Sequence, residues 1–215
     1  MTLTLTLIII IITCLVSFTA FSNQKIMDDL IFYPPAITHQ NQWYRFITCG
    51  FIHADIAHLL FNMYSFYMFG EVVEKSFSSP YLFGDKGKLF FILLYVSSLI
   101  FCLLPTYQKN RENYYYKSLG ASGAVSAIIF VYIVLAPMNK IGLVLIPISA
   151  PAFVFGAIYL GVSAYLDKRG NSGINHSAHF WGALYGIVFF IITSYFLSDF
   201  RPVQRFIEQV RNVFN

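Results

Sequence analysis

A serine flanked by glycines opens an apolar run that is long enough to cross a bilayer. Ser122 lies between Gly120 and Gly123, and the run continues to Ala136. Because glycine has no side chain, backbone amides and a neighbouring helix can come close to the serine hydroxyl. On this stretch alone, helix packing is the simpler interpretation, since small residues at such spacing commonly join membrane helices.

Two further apolar segments carry polar side chains that could meet this serine. His58 and Asn62 are four residues apart, which places them on one face of a helix. His179 is followed by Gly182 and Gly186, and this Gly-x-x-x-Gly spacing lets one helix face lie close to a partner. If the partner is the small-residue face around the serine, the histidine lies beside the hydroxyl.

These residue types together suit acyl transfer. Ser122 would act as the nucleophile, and His179 would take its proton as general base. His58, Asn62 and the Ser122 backbone amide would donate hydrogen bonds to the oxyanion of a tetrahedral intermediate. A carboxylate normally orients such a histidine, but the two apolar segments that carry the serine and the histidine contain no Asp or Glu. The sequence therefore predicts a Ser-His dyad.

Each polar residue also has a simpler interpretation. Ser122 could bond to its own helix backbone, and Asn62 could join two helices. Asp55 with His53 could cap a helix. Four histidines could hold a metal ion or haem in a binding or transport bundle: His53, His58, His176 and His179. The first two are five residues apart and diverge on a helix. None of these alternatives explains why small residues flank both the serine and the histidine.

Composition identifies the class of protein. Of 215 residues, 57% are hydrophobic and 11% are charged, whereas soluble proteins average about 45–50% apolar and about 25% charged residues. We therefore expect an integral membrane protein. The net charge of +4 comes from scattered basic residues and argues against a nucleic-acid partner. Three cysteines fit no zinc or disulfide spacing and are expected to be free thiols: Cys14, Cys49 and Cys102.

The apolar segments predict an all-α membrane protein, with residues 1–215 as a single polytopic domain. The predicted transmembrane helices are 3–22, 52–71, 88–104, 119–136, 141–166 and 176–197. Residues 23–51 are too polar to span lipid and are predicted to form a membrane-interface loop, and 199–215 an amphipathic tail. Pro147 and Pro151 are expected to kink the fifth helix.

Three motifs, in this order along the chain, resemble those of the rhomboid family of intramembrane serine proteases. Trp43 and Arg45, followed by residues 58–62, resemble the family's Trp-Arg loop and its His-x-x-x-Asn helix. Residues 120–123 are similar to the Gly-x-Ser-Gly nucleophile motif, and residues 178–186 resemble the Ala-His-x-x-Gly-x-x-x-Gly motif that carries the base. The match covers nearly all six predicted helices.

The resemblance implies a six-helix rhomboid-like bundle that cleaves single-pass membrane proteins in or near their transmembrane segments, without cofactor or metal. It implies Ser122 as nucleophile, His179 as base, and His58, Asn62 and the serine amide as oxyanion hole. Structural support would come from Gly120, Gly123, Gly182, Gly186, Trp43 and Arg45. It also implies a multi-pass protein of a bacterial cell or inner membrane with cytoplasmic termini. A catalytically silent relative that binds membrane helices is the alternative.

Two positions depart from the family pattern. Many members carry an aromatic residue one turn after the nucleophile, against which the catalytic histidine packs, but this chain has Ser126 there. Many also carry an aspartate shortly before that histidine, where this chain has Asn175. The sequence thus leaves open how His179 is held.

Overall fold

The computed structural model describes residues 3–143, 146–170 and 173–212 and consists mainly of helices. In chain order they are α1 (Leu5–Ser22), α2 (Gln24–Leu30), α3 (Pro34–Gln40), α4 (Arg45–Thr48), α5 (Ile56–Phe77), α6 (Gly87–Phe101), α7 (Leu104–Asn110), α8 (Ser122–Leu135), α9 (Ala152–Arg169), α10 (His176–Leu197) and α11 (Pro202–Arg211). Two antiparallel strands, β1 (Lys140–Leu143) and β2 (Ile146–Pro151), precede α9. Helices thus occupy each of the six segments predicted to cross the membrane.

Helix α8 lies at the centre of the bundle. Every residue from Gly123 to Val134 is buried except Tyr132, because α5, α6, α9 and α10 all pack against this helix. Its 14 residues span about 21 Å at about 1.5 Å per residue, which is less than the roughly 30 Å of a hydrocarbon core. If α8 lies within the membrane, as predicted, at least one of its ends is at membrane depth.

Helix α10 approaches α8 through glycines. A Cβ atom on Gly182 would lie 2.1 Å from the Gly123 carbonyl oxygen, and one on Gly186 would lie 2.3 Å from the Ala127 carbonyl oxygen. Both distances are too short for any side chain, so only glycine permits this approach. The contact expected between the two small-residue faces is confirmed.

By length and composition, three helical segments among the described residues could cross a membrane: α1, the stretch Gly84–Asn110 and α10. A fourth would count if Arg45–Phe51 and α5, which meet at a bend of 98°, form one broken span. Helix α8 is apolar but shorter, and α9 ends in a charged run, Asp167, Lys168 and Arg169. The number of six transmembrane helices therefore stays a prediction.

The prediction for the fifth helix is wrong over its first part. Residues 141–143 and 146–151, predicted as helix, lie in the antiparallel strands β1 and β2, and α9 begins only at Ala152. Pro147 and Pro151 both lie in β2, so neither kinks a helix. Proline lacks the N–H that a helix interior needs and disfavours helix at the residue before it. Periodicity alone does not distinguish a buried strand from a helix in such an apolar run.

The second predicted helix is shifted along the chain. It was expected over 52–71 but begins at Ile56, because the Asp55 side chain caps it by accepting from the His58 backbone N–H at 2.7 Å. It continues to Phe77. The α6 helix ends at Phe101, before the predicted end at 104.

Residues 23–51 fold into short helices held together by Arg45. This side chain is only 6% exposed. Its guanidinium donates to the carbonyl oxygens of Asp28 and Ile31, at 2.8 and 2.7 Å, and to the Gln42 side chain at 2.5 Å. Trp43 is half exposed, with its ring near those of Phe46 and Tyr107. Arg45 thereby fixes the end of α2 against α4.

Glu74 of α5 fastens the N-terminus of α1. Its buried carboxylate accepts from the backbone N–H groups of Leu5 and Thr6, at 2.9 and 2.8 Å, and from the Thr6 hydroxyl at 2.8 Å. The first N–H groups of a helix have no intrahelical partner, and a negative charge suits the positive end of the helix dipole. One carboxylate therefore joins the two helices and caps α1.

Candidate active site

Ser122 and His179 lie in contact at the N-terminal ends of α8 and α10. The His179 Nε2 atom is 2.7 Å from the Ser122 Oγ atom. For this nitrogen to accept the hydroxyl proton, the neutral imidazole must carry its own proton on Nδ1. The pair thus has the geometry of a nucleophile beside its general base.

The loop before Ser122 requires glycine at position 120. The φ angle of Gly120 is +108°, in a region that side chains rarely tolerate. A Cβ atom there would lie 2.7 Å from Cε1 and 3.0 Å from Nε2 of His58. The Gly120 N–H donates to the Cys49 carbonyl at 2.9 Å. These contacts bring the loop directly against the His58 ring.

His58 and Asn62 face the same cavity from α5. His58 Nδ1 accepts from the Ala54 backbone N–H at 3.4 Å, so the proton of the neutral ring is on Nε2, the atom that faces Gly120. Asn62 is 3% exposed, and one of its amide N–H groups donates to the His58 carbonyl at 2.9 Å. An amide carries a second N–H. Both side chains therefore offer a donor to the cavity that Ser122 also lines.

The Ser122 backbone amide is a further donor. Ser122 is the first residue of α8, and the N–H groups of the first helical turn have no intrahelical partner. They also carry the positive end of the helix dipole. An oxyanion forming in front of the serine would meet this amide as well as the α5 donors.

His53 connects α1 to the loop before the nucleophile, a role that the sequence did not indicate. Its ring is fully buried. The Ala121 N–H donates to Nε2 at 3.4 Å, and Nδ1 lies 3.0 Å from the Ser17 hydroxyl oxygen. Because that hydroxyl donates its proton to the Phe51 carbonyl at 2.9 Å, Nδ1 must be the donor to Ser17. From the sequence, His53 was a candidate only for a helix cap beside Asp55 or for a metal or haem site.

Tyr159 of α9 is a residue that the sequence did not single out. Its ring lies nearly parallel to the His179 ring, with centroids 6.3 Å apart. Its hydroxyl lies 2.7 Å from that of Ser126, the residue that stands where many family members carry an aromatic ring. Spacing gave no indication of Tyr159, because it comes from a different helix.

Asn175 joins three elements at the start of α10. Its side-chain oxygen accepts from the Ala178 N–H at 3.0 Å and from the Thr106 hydroxyl at 3.2 Å. Its amide donates to the Ser118 hydroxyl at 3.3 Å. The asparagine thus caps the helix that carries His179 and ties it to the loop before Ser122.

A cavity of about 870 Å³ opens in front of the pair. Its lining includes His58, Asn62, Tyr116, Ser122, Tyr159 and His179. Burial raises the pKa of Tyr116, in the loop before α8, to about 12, so its phenol is neutral near pH 7. Within residues 3–143, 146–170 and 173–212, no three His, Cys, Asp or Glu side chains group as metal ligands. Cys14, Cys49 and Cys102 are free cysteines.

The family model described as Rhomboid domain matches residues 40–196, which include every residue of this site except Ser17. The chain belongs to the rhomboid family. Membership and the apolar helices together support an integral membrane protein with an intramembrane protease-type function.

Curated relatives agree with this family. Over 144 residues the chain is 34% identical to "RHOMBOID-like protein 12, mitochondrial" of Arabidopsis thaliana, covering 64% of this chain and 42% of that protein. It is 32% identical over 171 residues to "Rhomboid-like protein 11, chloroplastic" of the same plant, covering 73% and 54%. It is 29% identical over 147 residues to "Putative rhomboid protease YdcA" of Bacillus subtilis (strain 168), covering 68% and 65%. The matches thus span less than two thirds of each of these relatives.

Proposed function

We propose that this rhomboid chain is a serine-type endopeptidase that hydrolyses peptide bonds in or near the transmembrane segments of single-pass membrane proteins. The observation that carries the proposal is the 2.7 Å contact between His179 Nε2 and Ser122 Oγ. The contact lies on the wall of a cavity that also presents hydrogen-bond donors. Nucleophile, base and oxyanion donors are the parts that acyl transfer needs.

In the first half of the proposed reaction, Ser122 Oγ attacks the scissile carbonyl carbon while its proton passes to His179 Nε2. The carbonyl oxygen becomes an oxyanion, which accepts hydrogen bonds from His58, Asn62 and the Ser122 amide. Collapse of this intermediate breaks the C–N bond, and the leaving amine takes the proton from the imidazolium. The products of this half are an acyl-enzyme ester and a new amino terminus.

In the second half, water takes the place of the serine as nucleophile. His179 removes a proton from the water, the hydroxide adds to the ester carbon, and the same donors stabilise the second oxyanion. Collapse releases a carboxylic acid and returns the proton to Ser122 Oγ. Because Ser122 is partly exposed to the cavity, water has a route to the ester.

The test uses purified full-length protein in liposomes with a single-pass transmembrane substrate. Ser122→Ala and His179→Ala should each abolish cleavage and labelling by a serine-reactive fluorophosphonate. Ser97→Ala on α6 and His39→Ala at the exposed end of α3 are matched controls outside the cavity and should behave as wild type. Cleavage retained by a folded Ser122→Ala or His179→Ala variant would exclude the proposed dyad. A wild-type protein that is folded but neither cleaves nor labels would instead be a silent relative.

The oxyanion assignment has its own expected magnitude. Asn62→Ala should lower kcat by about 10²–10³-fold, the usual effect of removing one oxyanion donor. We also propose that the protein lies in a bacterial inner membrane with both termini in the cytoplasm, as the family resemblance implies. Protease protection of tags on each terminus in sealed vesicles distinguishes this orientation from the reverse.

A further inference from the structure

We infer that Tyr159 positions the general base, and that it does so from α9 and not from the helix of the nucleophile. The His176 ring, with its centroid 5.8 Å from that of His179, is a second ring contact of the base. The inference deepens the proposed function and rests on it, since His179 needs a fixed orientation only if it serves Ser122. The Tyr159 and His179 rings have centroids 6.3 Å apart and planes inclined by 26°. This separation lies within the range of favourable ring pairs, about 4.5–7 Å.

The Tyr159 hydroxyl is fixed by a directed chain of hydrogen bonds. Ser126 Oγ donates to the Ser122 carbonyl at 2.7 Å, and a serine hydroxyl has only one proton to give. In the 2.7 Å contact between Tyr159 and Ser126, the tyrosine must therefore be the donor. The ring that faces the base is thus tied to the backbone of the nucleophile itself.

Packing of α9 fixes the height of the ring. Ala152, Gly156 and Ser163 are buried on one face of this helix. A Cβ atom on Gly156 would lie 3.1 Å from Ile133 Cδ1, so the helix is in close contact with α8 one turn before Tyr159. Because α9 is packed against α8, the Tyr159 ring stays in place when the His179 imidazole rotates.

An imidazole needs such a lateral contact because rotation about its terminal torsion has broad minima. Turning the ring moves Nε2 away from the serine, and a misplacement of about 1 Å can cost about 10²-fold in rate. Within the described residues, the His179 side chain bonds to Ser122 and to no carboxylate, so no acidic group fixes the ring instead. Ser126 is small enough to leave space for the tyrosine and polar enough to hold its hydroxyl.

The experiment compares Tyr159→Leu with Tyr159→Phe in full-length protein, using two substrates. One is a transmembrane substrate, for which kcat and KM are measured; the other is an alkyl fluorophosphonate, too small to fill the cavity. Tyr159→Leu should lower kcat and the labelling rate by a similar factor, about 10²-fold, with little change in KM. Tyr159→Phe keeps the ring and should stay within about threefold of wild type. Tyr165→Leu, the same change at a 63% exposed position of α9, should have no effect.

Four results would overturn the inference. If Tyr159 only lines the substrate cavity, Tyr159→Leu raises KM but leaves labelling by the small probe unchanged. If Tyr159 only supports folding, a smaller fraction of the Leu and Phe variants is labelled, and both variants are less thermally stable. The folded fraction of each variant is then labelled at the wild-type rate. If the wild type is labelled at Ser122 and Tyr159→Leu has wild-type rates of cleavage and labelling, this inference is overturned and the proposed function is not. A wild type without Ser122-dependent labelling overturns the proposed function as well.

Discussion

Replacing Gly182 with alanine should separate the catalytic pair without touching it. The new Cβ atom would lie 2.1 Å from the Gly123 carbonyl oxygen, whereas ordinary contacts begin at 3.4 Å. The obstacle is backbone on α8, so the helices must part by about 1.3 Å, the difference between these distances. His179 is one turn before Gly182 on the same rigid helix and must move with it.

The magnitude follows from this displacement. If α10 retreats along the line that joins the pair, the distance from His179 Nε2 to Ser122 Oγ grows from 2.7 Å to about 4 Å, beyond hydrogen-bond reach. Loss of general-base catalysis costs about 10²–10⁴-fold in rate, and we expect kcat to fall by at least about 10²-fold. Crowding of a packed interface should also lower the free energy of unfolding by about 1–3 kcal/mol.

The assay measures cleavage of a transmembrane substrate and the rate of fluorophosphonate labelling, both normalised to folded protein. Gly161→Ala is the matched control, because it makes the same change within a helix at a position where nothing lies within 4 Å of the new Cβ atom. It should leave both rates unchanged. A folded Gly182→Ala variant with wild-type kcat would show that the helices can absorb the methyl group elsewhere, and the reasoning from packing to catalysis would fail.

Two further predictions concern the loop before the nucleophile and the anchor of α1. Gly120→Ala should lower kcat, and it should lower the free energy of unfolding by about 1–3 kcal/mol. The reason is that φ is +108° and the methyl group would lie 2.7 Å from His58. The cleavage rate and thermal unfolding measure the two effects. Glu74→Gln should lower the free energy of unfolding by about 1–3 kcal/mol, because the amide offers one acceptor oxygen where the carboxylate offers two. Unfolding in mixed SDS micelles measures this change in free energy.

Each of these has a control of the same type. Gly170→Ala also places alanine at a positive φ, +68°, but with nothing within 4 Å, so it isolates backbone strain from contact with His58. Glu208→Gln changes an exposed glutamate on α11 and should leave stability unchanged. A wild-type kcat for Gly120→Ala, or equal unfolding midpoints for the two glutamate variants, would contradict the respective prediction.

The pairing of Ser122 with His179 could be predicted from sequence because its packing requirement is visible there. Gly182 and Gly186 follow a histidine at helical spacing. Because they have no side chains, they let another helix backbone come close, which is the usual meaning of this spacing in membrane helices. The structure places that backbone on α8, with the serine at its first turn. Helix-forming apolar runs were equally visible, but their ends shifted, and the fifth run begins as strand before α9 starts at Ala152.

The supporting contacts could not be predicted, because they depend on which elements meet in space. His53 bonds to Ser17 of α1 and to the residue before the nucleophile, and neither partner is marked by periodicity. Tyr159 is one of several tyrosines in the chain, and only the packing of α9 places it beside His179. The β1–β2 hairpin was missed because its apolar composition also suits a buried helix.

The division of one task between α8 and α9 constrains how this sequence can change. A large ring at position 126 would collide with the Tyr159 hydroxyl that now lies 2.7 Å from Ser126. Loss of the tyrosine alone would remove its ring contact with His179 and leave the contact with His176. An aromatic residue at position 126 and the loss of Tyr159 would each be harmful alone. An evolutionary change from one arrangement to the other must therefore pass through a less active protein or alter both positions together. The two positions are therefore expected to vary as a pair among relatives, with one aromatic ring between them.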